Sequence, residues 1–154
     1  MRHKRFKLVE FDNKKRVFRL GYTSGLVIEC PYSALSINKK VIEAAPDSED
    51  GGFSFYFVLE NGKKHFVPFD QPLHIVQNPS YVKEQTLFEM TKELNRFIKA
   101  DSISKRELAR RLNTSLSQLA RLLDTTNYKK DLSRLIEIAA ILNYEFKWEF
   151  RKAA

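Results

Sequence analysis

The apolar residues of this 154-residue chain change period near Asn78-Pro79, and that change constrains the fold more than any other feature. Upstream, apolar and polar residues tend to alternate over short runs broken by turn residues. Downstream they recur at i, i+3, i+4 and i+7. A period of two belongs to strands and a period of 3.6 to helices, so the halves demand different structure. The expected fold class is α+β: a mostly antiparallel β domain over 1–79, then a helical domain over 80–154.

In the first half, Phe6 to Phe11 alternates and Asp12-Asn13-Lys14-Lys15 reads as a turn. Arg16 to Tyr22 and Leu26 to Cys30 follow, separated by Thr23-Ser24-Gly25. The clearest hairpin runs from Phe53 to Glu60 and returns from Lys63 to Val67, with Asn61-Gly62 suited to a type I′ turn. About five antiparallel strands are expected. Aromatic strand residues of this kind read as core before they read as a ligand box.

In the second half, Ser80 is placed to cap a helix from Tyr81 to about Lys99, with Leu87, Phe88, Thr91, Leu94, Phe97 and Ile98 on one face. Two capping boxes follow, Ser104-Lys105-Arg106-Glu107 and Ser115-Leu116-Ser117-Gln118. Asp131 can cap a fourth helix, with Leu132, Leu135, Ile136, Ala139, Ala140 and Leu142 inward and Asn143 at its end. Tyr144, Phe146, Trp148 and Phe150 then alternate with Glu145, Lys147, Glu149 and Arg151, the pattern of a one-sided terminal strand. Its aromatic face needs cover, either from the β domain or from a partner chain, where strand pairing across a two-fold axis would make it a dimer strand.

Composition narrows the function classes. No run of apolar residues is long enough for a membrane span, and the basic N-terminus has no apolar run behind it, so no signal peptide is expected. A lone cysteine, Cys30, cannot form an intramolecular disulfide, and a reducing cytoplasm fits it best. His3, His65 and His74 lack the spacing of a metal site, and there is no phosphate-cradling glycine loop; no cofactor, no metal and no enzyme activity are expected. The formal net charge of +8 favours a polyanionic partner. Residues 102–134 hold eight basic side chains against Glu107, Asp124 and Asp131. A second basic cluster (Arg2, Lys4, Arg5, Lys7, Lys14, Lys15, Arg16, Arg19) reads as a nucleic-acid patch or as a charged hairpin edge.

The two capped helices are separated by only Asn113, Thr114 and the cap Ser115, which is the spacing of a helix-turn-helix. Ala109 sits where the helices meet, Leu108, Leu112, Leu119 and Leu122 supply a shared core, and Asn113 tolerates the left-handed turn position. On these residues, from Ser104 to Leu142 and including Thr125-Thr126-Asn127-Tyr128, the segment resembles the Cro/phage-repressor (XRE) helix-turn-helix family, in particular its antitoxin branch. Asn113 and Thr114 depart from the glycine and apolar residue usual at that turn, and Leu116 from a position that is often polar.

The resemblance implies a small helical bundle that binds double-stranded operator DNA as a homodimer and represses its own operon, with a toxin protein as a further partner. Carried over by position, Ser115, Leu116, Ser117, Gln118 and Arg121 are the expected base-reading residues; Arg121 suits guanine and Leu116 a thymine methyl. Lys105, Arg106, Asn127, Lys129 and Lys130 are expected at phosphates. Two other readings remain: a stand-alone transcription factor whose β domain senses a ligand or dimerises, and a protein-binding adaptor that does not touch DNA.

Overall fold

The structure, a computed structural model, describes residues 1–153. The chain divides into two compact units, Met1–Val82 and Lys83–Ala154.

The first unit holds two three-stranded antiparallel sheets. One has the order β1 (Phe6–Asp12), β2 (Val17–Tyr22), β3 (Val27–Pro31), and the other β4 (Val41–Pro46), β5 (Ser54–Leu59), β6 (Lys64–Pro68). Alternation sends Phe18, Leu20 and Tyr22 of β2 and Phe55, Phe57 and Leu59 of β5 inward. They join Phe6, Cys30, Tyr32 and Val67 in one core. Its centre is aromatic: Phe55 lies edge-on to Phe6 and Phe18 at 5.1 and 5.2 Å between ring centroids. A short helix α1 (Asp70–Ile75), not foreseen from the sequence, closes the unit with Leu73 buried.

Of the two predicted turns, that at Asp12–Lys15 forms and the other differs in type. Asn61-Gly62 does not form a type I′ turn: Gly62 has φ +82°, but Asn61 is not among the residues with positive φ. The Gly62 N–H donates to Leu59 O and the Leu59 N–H to Lys63 O, so the loop has three residues ending in a left-handed glycine. At the Asp12–Lys15 turn, which forms as predicted, Asn13 also reaches across the unit. Its amide donates to Val41 O and its oxygen accepts from Val41 N, both at 2.9 Å, which ties the β1–β2 turn to the start of β4.

The second unit is built from the rest of α2 (Pro79–Ala100), α3 (Lys105–Arg111), α4 (Leu116–Leu123) and α5 (Leu132–Ile141). Helix α2 starts two residues earlier than predicted. Asn78 rather than Ser80 caps it, accepting from Tyr81 N at 3.1 Å, and Pro79 takes the first helical position, where its missing N–H costs nothing. Leu87 and Leu94 of α2 meet Leu108, Leu112, Leu119, Leu135, Ile138 and Leu142 in the core. In α5 Leu135, Ala139 and Leu142 are buried as predicted and Ile138 joins them, whereas Ile136 is half-buried and Leu132 and Ala140 face outward.

The expected terminal strand is absent within the chain. Residues 144–151 form no ladder among the described residues, because no edge of the helical unit offers them backbone partners.

Candidate nucleic-acid interface

The helix-turn-helix is held by local chemistry. Ser104 accepts from Glu107 N and Ser115 from Gln118 N, both at 3.1 Å, so each capping box forms its serine half. The Glu107 carboxylate does not return to its own cap. It binds Arg110 and Arg111 instead, and these guanidinium groups hold its pKa down to about 2. Asn113 adopts φ +53°, the left-handed conformation the tight turn requires, and Thr114 N donates to Ala109 O across it. Leu108, Ala109, Leu112 and Leu119 lie buried beneath, as the sequence predicts, whereas Leu122 is half-buried and Leu123 is buried in addition.

This packing leaves one face of α4 in solvent. Ser115, Leu116, Ser117, Gln118 and Arg121 are all exposed, Leu116 at 49% despite being apolar. An apolar side chain held outward at the N-terminal end of such a helix suits contact with a base-edge methyl group. Arg121 forms no ion pair among the described residues. A concavity of about 480 Å³ opens beside it, lined by Gln118, Arg121, Asn127, Lys129 and Arg134 among others.

The basic window sorts into spent and free cations. Arg110 and Arg111 are occupied by Glu107, and Arg134 by Glu137 at 2.7 Å. Lys105, Arg106, Arg121 and Lys129 are exposed and form no ion pair among the described residues.

Lys130 corrects the sequence reading. Expected at phosphates, it is only 9% exposed, and its Nζ donates to Thr91 Oγ1 (2.6 Å), Leu122 O (2.9 Å) and Asp124 O (2.6 Å). It thus clamps the end of α4 to α2 and closes backbone carbonyls that the helix leaves open. Burial pushes its pKa down. Asn127 is likewise spent within the fold: its amide donates to Arg121 O and its oxygen accepts from Lys129 N.

Residues 93–147 match the family model of the Cro/C1-type HTH DNA-binding domain. The C-terminal unit carries this domain. The match supports a DNA-binding transcriptional regulator, and the exposed face of α4 lies inside the matched Cro/C1-type segment. No curated protein and no solved structure matches the chain.

The β unit has a different surface. On the outer face of its second sheet Tyr56 pairs with Phe66, which is 56% exposed, and Lys64 Nζ stands 4.1 Å from the Tyr56 ring centre. Folding also gathers lysines that are far apart in sequence. Asn13 bonds Val41, and Glu60 N donates to Lys40 O while the Glu60 carboxylate accepts from Lys40 N, so Lys14, Lys15, Lys39, Lys40 and Lys63 come to one end of the unit. Cys30 is buried, with its thiol pKa raised to about 11, so it stays protonated and is a poor nucleophile. Among the described residues no group of His, Cys, Asp or Glu could hold a metal ion, and no helix is long and apolar enough to cross a membrane.

Proposed function

We propose that the chain is an antitoxin-like autorepressor that binds operator DNA as a homodimer, with no enzymatic role. The observation that carries the reading is the exposed, unpaired Arg121 beside Ser117 and Gln118 on α4 of a Cro/C1-type domain. Helix α4 enters the major groove, Arg121 donates two hydrogen bonds to a guanine, and Leu116 packs on a thymine methyl group. Lys105, Arg106 and Lys129 neutralise phosphates on either side. The outer face of the β unit with half-buried Tyr56 and exposed Phe66 supplies apolar surface of the kind that protein partners cover, and we assign it to a toxin.

Fluorescence anisotropy on the DNA just upstream of the gene, against an unrelated duplex, tests the reading. The upstream duplex should bind in preference, with two protomers per site. Arg121→Ala should weaken specific binding by about 1–3 kcal/mol and relax the preference at one base pair. Equal binding to both duplexes by the intact protein would overturn it.

A further inference from the structure

The segment after α5 has the side-chain geometry of a strand and none of its backbone pairing. Glu145 pairs with Lys147 at 3.5 Å and Glu149 with Arg151 at 2.9 Å, so the charged residues share one side at i, i+2. Trp148 and Phe150 meet on the other side, ring centroids 5.3 Å apart. Such alternation is that of an extended chain. Yet residues 145–151 make no backbone–backbone hydrogen bond among the described residues, and Trp148 and Phe150 are 71% and 90% exposed. The stripe starts from a fixed point, since the Tyr144 ring stacks on Phe97 at 3.7 Å.

We propose that residues 145–151 pair with the same segment of a second copy as an antiparallel two-stranded ribbon centred on Trp148. The order of charges favours this partner and this register, which makes twice the opposite-charge pairs of an antiparallel pairing centred on Phe146 or Phe150. With Trp148 opposite itself, Glu145 faces Arg151 of the second copy and Lys147 faces Glu149, so every polar cross-strand pair joins opposite charges. Phe146 then faces Phe150 on the aromatic side. A parallel in-register pairing would set Glu against Glu and Lys against Lys. An antiparallel pairing centred on Lys147 or Glu149 would also bring like charges together. The ribbon deepens the homodimer reading and rests on it.

The full chain tests this directly, because Trp148 is its only tryptophan. Sedimentation should give a two-protomer mass, and the tryptophan emission should shift to shorter wavelength as concentration rises. Chains carrying K147E/R151E or E145K/E149K place like charges opposite each other at every polar pair. Each alone should dissociate at least about tenfold more readily, and an equimolar mixture should recover the dimer. For the register, Lys147→Cys mixed with Glu149→Cys should cross-link far better than Lys147→Cys alone. An intact chain that stays monomeric would remove both the ribbon and the homodimer. A dimer of unchanged affinity in the charge-reversed chains would keep the homodimer and refute the ribbon, and cross-linking of Lys147→Cys with itself would refute the register.

Discussion

Sorting the cations of the helix-turn-helix into spent and free gives a quantitative expectation for DNA binding. Eight basic residues lie between 102 and 134, but Arg110, Arg111 and Arg134 are held by carboxylates and Lys130 is buried. If Arg121 reads a base, Lys105, Arg106 and Lys129 remain for phosphates, three per protomer and six per dimer. Each neutralised phosphate contributes about −0.9 to the slope of log affinity against log salt, so the slope should be about −5. Affinity should then fall about a thousandfold between 50 and 200 mM salt. Replacing Lys129 by Gln removes two contacts per dimer and should flatten the slope by about 2. Arg134→Gln removes the same formal charge from the same segment, but a charge already satisfied by Glu137, and should leave the slope nearly as it was. Anisotropy titrations over a salt series on one duplex measure all three. Equal flattening by the two variants would refute the sorting, and so would an intact-protein slope no steeper than about −2.

Two further expectations concern the scaffold beneath that surface. Lys130→Met removes the clamp and strands the carbonyls of Leu122 and Asp124, so denaturant titration should show a loss of about 2–3 kcal/mol. Because burial lowers the Lys130 pKa, the unfolded chain binds the proton more tightly, and stability should rise with pH towards the ordinary value of 10.5; the variant should lose this rise. Glu107 has the opposite sense. Its pKa is depressed to about 2, so its ion pairs contribute fully above 4.5 and are lost as pH falls through the folded value, which a carboxyl NMR titration should show directly.

The parts of this fold legible in the sequence are those fixed by local chemistry. The serine caps at Ser104 and Ser115, the left-handed Asn113 and the strands β2 and β5 each depend on residues within one turn or one strand of each other. Their energies are decided before any distant contact forms, so pattern alone finds them. The alternation expected over Phe6 to Phe11, by contrast, is broken by a bulge that buries Val9 and leaves Leu8 and Phe11 exposed. The misreadings share the reverse property. Lys130 looks like one more surface cation until α2 brings Thr91 to within 2.6 Å. The turn at Asn13 forms as predicted, but the bonds its amide makes to Val41 are visible only in the fold. A lysine is rarely buried, so exposure is the better guess from sequence and only the partners overturn it. Glu107 was read as half of a capping box, but its carboxylate had two arginines within one helical turn to choose from. Charge-assisted bonds to guanidinium groups outweigh a single backbone N–H, so the box stays half-formed.

The surface offered to DNA therefore follows from competition inside the fold. Glu107 and Glu137 hold three arginines of the basic window, the carbonyls of Leu122 and Asp124 hold Lys130, and the cations without such a partner are left facing solvent. The net charge of residues 102–134 counts Arg110, Lys130 and Lys129 alike, whereas the structure makes the first an ion-pair partner, the second a core residue and only the third a free contact. Which residues a nucleic acid meets is thus set by the acids and carbonyls around them as much as by the basic residues themselves.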